Sequence, residues 1–185
     1  MLFSSITFLF MFLPIVMAVY YLVPNGVKNI VLLLASLFFY AWGEPVYVVL
    51  MILSIVLNYF CGQDIEANGD DPKKAKRSLV FALVANLLIL GFFKYYGFLL
   101  DTINSFLTTD IPYRVLPLPI GISFYTFQAI SYVIDIYRKD AKPQKNILYF
   151  ALYISMFPQL IAGPIVRYAD IEEQLKERKV TLRKL

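Results

Sequence analysis

The sequence contains no histidine and only one cysteine among its 185 residues. Without an imidazole, a mechanism that needs histidine as its base cannot run within this chain, and metal sites built on histidine and cysteine are excluded. Cys61 has no partner for an internal disulfide, and its place at the end of an apolar run predicts a small buried side chain. Phosphate-loop, CxxC and dinucleotide-binding motifs are missing too, so the sequence favours none of these soluble enzyme classes.

Charge is scarce as well. Charged residues make up 16% of the sequence and hydrophobic residues 59%, against about 25% and about 45–50% in a typical soluble domain. These figures exclude a disordered chain, a coiled coil and an ordinary soluble globule. The 17 Lys and Arg residues, against 13 Asp and Glu, occupy short segments between apolar runs. That pattern is typical of a membrane protein and argues against a nucleic-acid partner.

We therefore predict an all-α, multi-pass protein of the lipid bilayer, with about five transmembrane spans and one broken segment. Residues 1–27 carry no charge, which favours an uncleaved first helix over a cleavable signal. The apolar blocks that carry the prediction are Leu2–Val23, Asn29–Trp42, Val46–Gly62, Leu79–Leu100, Leu116–Ile136 and Ile147–Val166.

The basic residues predict the orientation. They cluster in two predicted loops, 64–77 and 137–146, which should be cytoplasmic and would put the N-terminus outside. A sixth full span would then put the basic tail, residues 167–185, on the wrong side. Because prolines and a glycine interrupt the last block, we predict that it enters the membrane, breaks at Pro158–Pro164 and returns to the cytoplasmic side. The chain thus divides into a transmembrane region, 1–166, and a cytoplasmic-side amphipathic tail, 167–185, which forms either an interfacial helix or a solvated linker helix.

One face of the fifth predicted helix is polar. Gly121, Tyr125, Gln128, Tyr132 and Asp135 follow one another at spacings of 4, 3, 4 and 3 residues, which places them on one side of a helix. Such a face should point into the bundle or into a wet cavity. Its polar groups either contact a substrate or only fix helix packing through hydrogen bonds.

Further candidates lie at the cytoplasmic end of this helix and in the broken segment. Asp135 is predicted to pair with Arg138, three residues later. Gln159 is a candidate to line a cavity, and Gly163 beside Pro164 permits a close backbone approach. Arg167 either contributes to the same site or binds lipid headgroups.

Two long motifs carry a resemblance to a known family. They are LPLPIGISFYTFQAISYVIDIYR at 116–138 and FPQLIAGPIVRY at 157–168, supported by MLFSS at the N-terminus and FKYY at 93–96. With these motifs the chain resembles the N-terminal portion of the membrane-bound O-acyltransferase family, in its bacterial alginate O-acetylation branch.

The resemblance implies a partial ring of helices around a funnel and transfer of acyl groups, chiefly acetyl, to an exported polysaccharide such as alginate. It implies a cytoplasmic acyl donor, either acyl-CoA or an acyl carrier protein, with no cofactor or metal bound by this chain. It also implies the bacterial inner membrane, the C-terminal half of the protein, a periplasmic acetyltransferase and the polysaccharide export machinery as surroundings.

The family's histidine falls beyond residue 185, so the resemblance assigns no catalytic residue to this chain, and we expect the chain alone to be inactive. Tyr125, Gln128, Tyr132, Gln159, Gly163 and Pro164 become candidates for a substrate tunnel, and Asp135, Arg138 and Arg167 for its cytoplasmic mouth. Two other functions stay open from the sequence: a component that exports a polysaccharide or its lipid carrier, and a truncated, non-catalytic membrane subunit.

Overall fold

The computed structural model describes residues 5–107, 112, 117–162 and 166–176, and these form helices joined by turns, with no strand among them. A π-helical turn, Phe8–Phe12, leads into α1, Leu13–Leu22. The helices that follow are α2 (Lys28–Gly43), α3 (Tyr47–Ala67), α4 (Pro72–Leu107), α5 (Ile122–Tyr137), α6 (Ile147–Ser155), α7 (Phe157–Ala162) and α8 (Tyr168–Lys176). The predicted all-α class is thereby confirmed.

Two of the helices are long and apolar enough to cross a membrane, α3 and α4. The segments Phe8–Leu22, Lys28–Gly43 and Ile147–Leu160 are apolar but shorter. At 1.5 Å per residue, the 16 residues of α2 reach about 24 Å, less than a hydrocarbon core of about 30 Å. The structure therefore supports two full spans by length, and the remaining predicted spans stay a prediction.

The connection between α3 and α4 is much shorter than the charged segment 64–77 suggested. The two helices form a hairpin whose turn is closed by backbone hydrogen bonds from Gly69 to Glu66 and from Asp71 to Asn68. Asp64 and Glu66 lie in the last turns of α3, Lys73, Lys74, Lys76 and Arg77 lie in the first turns of α4, and Asp70 and Asp71 lie in the turn between them. The prediction of a long loop there was wrong.

The start of α5 also differs from the prediction. The helix begins at Ile122 rather than at Leu116, since Pro117 and Pro119 lack amide protons and disfavour helical geometry in the residues before them. Gly121, with φ of 74°, is the residue that turns the chain into the helix.

The last apolar block is broken, as predicted, but the break comes earlier than Pro158. It lies at Met156, whose ψ of 111° interrupts the helix between α6 and α7. Pro158 occupies the first turn of α7, where its missing amide proton costs no helical hydrogen bond. Gly163 and Pro164 lie outside the described residues.

Two buried clusters hold the helices together. The larger cluster joins α2 to α6 and includes the buried face of α5. The smaller one is aromatic and packs Phe8 and Phe12 against Phe39 of α2 and Phe157 of α7, with ring centroids 5.2–5.9 Å apart. Cys61 is buried and free, as the sequence indicated.

Candidate functional site

The polar face of α5 is buried in the helix bundle. Tyr125 and Tyr132 are fully buried, Gln128 is 2% exposed and Asp135 1%. On the other side of the helix Phe127 is 43% exposed. The helical periodicity thus correctly identified which face of α5 turns inward.

The broken segment runs antiparallel to α5 and reaches its far end. The Nε2 of Gln128 donates to Oε1 of Gln159 across a long 3.4 Å. Further along, Leu160 approaches Gly121 so closely that a Cβ on this glycine would lie 3.0 Å from the Leu160 carbonyl oxygen. Gly121 is therefore required both for its backbone conformation and for this contact.

After α7 the chain returns to the end of α5 from which α6 set out. Before α6, the amide of Gln144 donates to the hydroxyl of Tyr132, and the Gln144 side chain donates to the hydroxyl of Tyr168. After α7, the hydroxyl of Tyr153 donates to the carbonyl of Val166, beside Arg167. Segment 147–167 accordingly starts and finishes at the same end of α5, which is the geometry that a re-entrant segment requires.

Arg167 forms the ion pair that holds this return. Its Nη2 lies 2.6 Å from Oδ1 of Asp135 and 3.9 Å from Oδ2 of Asp140. The hydrogen bond to Asp135 and the charge of that carboxylate raise the pKa of Arg167. The predicted pairing of Asp135 with Arg138 was wrong, because the carboxylate points into the bundle while Arg138 is exposed at the end of the helix.

Tyr132 and Tyr168 pack against neighbouring aromatic rings at the C-terminal end of α5. The Tyr132 ring lies 4.3 Å from Phe150 and 4.9 Å from Tyr168, measured between centroids. Burial raises the pKa of Tyr168, which keeps its phenol neutral as the partner of Gln144. A tunnel role for Tyr132 gains no support from these contacts.

Sequence reasoning missed several members of the site. Tyr40 of α2 and Ser155 of α6 are buried with hydroxyls that find no hydrogen-bond partner among the described residues, and the same holds for the Tyr125 hydroxyl and Oε1 of Gln128. Nothing local distinguishes Tyr40 from other aromatics of its apolar run, so only the folded arrangement identifies it.

A pocket of about 580 Å³ opens at the C-terminal end of α5. It lies between the α3–α4 turn and the loop that follows α5, with Glu66, Asp70, Lys139 and Lys142 among its lining residues. Lys139 takes a left-handed conformation, φ 64°, that ends α5. Within the described residues no group of His, Cys, Asp and Glu could hold a metal ion.

Comparison with known proteins gives this site a family context. The chain is 45% identical over 189 residues to the probable alginate O-acetylase AlgI of Pseudomonas syringae pv. tomato, a match that covers 100% of this chain and 36% of the relative. The chain is homologous to the N-terminal portion of the alginate O-acetylases. The probable alginate O-acetylase AlgI of Azotobacter vinelandii is 43% identical to this chain over 188 residues, which cover 100% of the chain and 38% of the relative.

A relative with another named acceptor is also similar. The peptidoglycan O-acetyltransferase of Helicobacter pylori is 35% identical over 208 residues, which covers 96% of this chain and 39% of that protein. The chain spans little more than a third of the length of the curated relatives it matches. No protein-family model matches it, and no solved structure does.

Proposed function

We propose that this chain is the N-terminal portion of a membrane-bound O-acetyltransferase that acetylates an exported polysaccharide such as alginate. The observation that carries the proposal is the 45% identity to an alginate O-acetylase over the full chain. The named relatives are acetylases of two different glycans, so acetyl transfer is the part that they have in common.

The contacts along α5 support a role in forming a substrate path. Tyr125, Gln128 and Gln159 present uncharged polar groups inside the bundle, and polar groups at membrane depth are kept for function or packing. Asp135 and Arg167 would stand at the cytoplasmic mouth of this path, with Arg138 on the surface beside them. Gly163 and Pro164, which lie outside the described residues, are proposed as further members of the tunnel lining.

The setting follows from the same proposal. The protein would lie in the bacterial inner membrane with its N-terminus outside, and the acetyl donor, acyl-CoA or an acyl carrier protein, would approach from the cytoplasm near the pocket at Lys139 and Lys142. The base would come from the C-terminal half of the longer protein, since this chain has no histidine. A periplasmic acetyltransferase and the export machinery would receive the product, and this chain alone would not turn over an acyl donor.

A chimaera tests this function. In a Pseudomonas syringae strain that lacks its alginate O-acetylase, the gene is restored with this chain in place of the aligned N-terminal portion. We expect acetyl esters to return to the alginate, as measured by NMR of the secreted polymer. A chimaera that reaches the membrane at normal abundance but leaves the alginate unacetylated would contradict the proposal.

A further inference from the structure

Another pocket, of about 400 Å³, lies between α3 and α4 near the turn that joins them. This volume falls within the range of about 300–1,000 Å³ that small-molecule sites occupy. The pocket is separate from the polar face of α5, because all of its lining residues belong to the other two helices. They are Phe60, Cys61 and Asp64 of α3 and Arg77, Ser78 and Phe81 of α4.

The pocket lies where both helices pass from apolar to charged sequence. Helix α3 has no charged residue over 47–63, and α4 has none over 78–93. Asp64 and Arg77 are therefore the first charges beyond these two apolar stretches. Because α3 and α4 are long and apolar enough to cross a membrane, the two charges belong at the level of the lipid headgroups.

An exposed phenylalanine lies one turn deeper than each of these charges. Phe60 precedes Asp64 by four residues and Phe81 follows Arg77 by four, so each ring shares a helix face with the charge above it. Both phenylalanines are 61% exposed. The pocket thus has a polar level and an apolar level, which is the order of a headgroup and its acyl chains.

The two charges of the pocket lack a partner of opposite charge. Neither Asp64 nor Arg77 forms a salt bridge with any residue that the structure describes. The Asp64 carboxylate accepts from the Asn68 amide at 3.0 Å and from the Ser78 hydroxyl. Because both donors are neutral, the pocket presents one uncompensated charge of each sign.

This pair of charges defines the ligand that the pocket suits. A guanidinium such as that of Arg77 matches a phosphate, to which it can donate two parallel hydrogen bonds. A carboxylate such as that of Asp64 matches a primary ammonium, which donates up to three hydrogen bonds. An anionic lipid would bring its net negative charge next to Asp64, and a choline headgroup has no hydrogen to donate.

We propose that this pocket binds a zwitterionic phospholipid with a primary ammonium, as in phosphatidylethanolamine. Its phosphate contacts Arg77, its ammonium contacts Asp64, and the start of its acyl chains lies on Phe60 and Phe81. The site is independent of the acetyl transfer proposed above. A lipid bound in this way fixes the depth of the α3–α4 hairpin at the membrane surface.

The first test compares lipids on the unsubstituted full chain. The chain is purified in mild detergent and mixed with equal amounts of phosphatidylethanolamine, phosphatidylcholine and phosphatidylglycerol that share the same acyl chains, and the bound lipids are counted by native mass spectrometry. We expect phosphatidylethanolamine at about threefold the occupancy of either competitor, the effect of one exposed ion pair. Equal binding of phosphatidylcholine, or equal or stronger binding of phosphatidylglycerol, would overturn the proposal.

The second test uses neighbouring cations of α4. Arg77→Gln and Lys76→Gln each remove one positive charge from an exposed position, but only Arg77 lines the pocket. We expect Arg77→Gln to lower the occupancy of phosphatidylethanolamine about threefold and Lys76→Gln to leave it unchanged. Equal losses in the two variants would mean that overall charge attracts the lipid, which would refute the site.

The ammonium contact has a test of its own. Asp64→Asn keeps an oxygen that can accept from Ser78 but removes the negative charge. The variant should therefore bind phosphatidylethanolamine and phosphatidylcholine equally. A preference for phosphatidylethanolamine that survives the substitution would contradict the contact with Asp64.

Glycerophosphoethanolamine, the headgroup without acyl chains, separates a lipid from a soluble phosphate ester. It should not displace the lipid at equal concentration, because it has no apolar part to contact Phe60 and Phe81. Displacement would assign the pocket to a soluble ligand and overturn the proposal. Failure of the chimaera with the lipid preference intact would count against the proposed function alone.

Discussion

A single methyl group added at Gly62 should test how closely α3 and α5 pack. An alanine Cβ at this position would lie 2.7 Å from Cε1 of Tyr132, 2.8 Å from its hydroxyl oxygen and 2.9 Å from Cδ1 of Ile136. Ordinary contacts of a Cβ lie at 3.4–4 Å, so the new atom would overlap both neighbours.

Tyr132 has little room to yield. Its ring is packed against Phe150 and Tyr168, and its hydroxyl accepts from the Gln144 amide. A shift of the ring would disturb these contacts at once. Overpacking of this kind costs about 1–3 kcal/mol.

Gly91 of α4 provides the matched control, because a Cβ there meets nothing within 4 Å. Both substitutions share the intrinsic preference of a helix for alanine over glycine, worth about 1 kcal/mol. The difference in unfolding free energy between Gly62→Ala and Gly91→Ala therefore isolates the overpacking, about 1–3 kcal/mol. Gly91→Ala itself should be neutral or more stable than the unsubstituted protein.

The assay is denaturation of the purified chain in mild detergent, followed by circular dichroism. Each kcal/mol corresponds to about 2–4 °C in Tm for a protein of this size. Equal stability of the two variants, or a more stable Gly62→Ala, would refute the close approach of the two helices.

Two further outcomes are expected. Asn58 and Asn86 exchange hydrogen bonds between α3 and α4 at 3.1 and 2.7 Å. A double-mutant cycle of Asn58→Leu and Asn86→Leu should therefore give a coupling free energy of about 1 kcal/mol in denaturation experiments. Additive effects of the two substitutions would contradict this pairing. Asp135→Asn should weaken the ion pair with Arg167 and speed hydrogen–deuterium exchange of residues 166–170, while Arg138→Gln should leave that exchange unchanged. Equal effects of the two substitutions would support the pairing of Asp135 with Arg138 instead.

The part of the site that lies on α5 could be predicted because it depends on helical periodicity. Tyr125, Gln128 and Asp135 share a face at any bundle geometry, and a polar face at membrane depth turns inward. The partner of Asp135 could not be predicted in this way. Arg167 reaches it only because the chain doubles back over 32 positions, whereas the sequence offered Arg138 as a neighbour.

The sequence correctly predicted that the last apolar block is broken, but it placed the break at Pro158–Pro164 and not at Met156. Proline in an apolar run signals an interrupted helix, but the signal does not tell whether the proline ends one helix or starts the next. Pro158 lies in the first turn of α7, so the interruption falls before it, at Met156, directly after Ser155. Tyr40 is buried on another helix, α2, and its burial depends on packing that no local pattern records.

The shared starting and finishing point of segment 147–167 affects how membrane crossings are counted. In the predicted topology a hairpin of this kind enters and leaves the membrane on one side, so the residues after it stay on the side of the loop at 138–146. A reporter attached behind α8 should therefore share its compartment with one placed in the loop at 138–146. Any scheme that counts each apolar run as one passage would assign the two reporters to opposite compartments, and would invert every later segment with them.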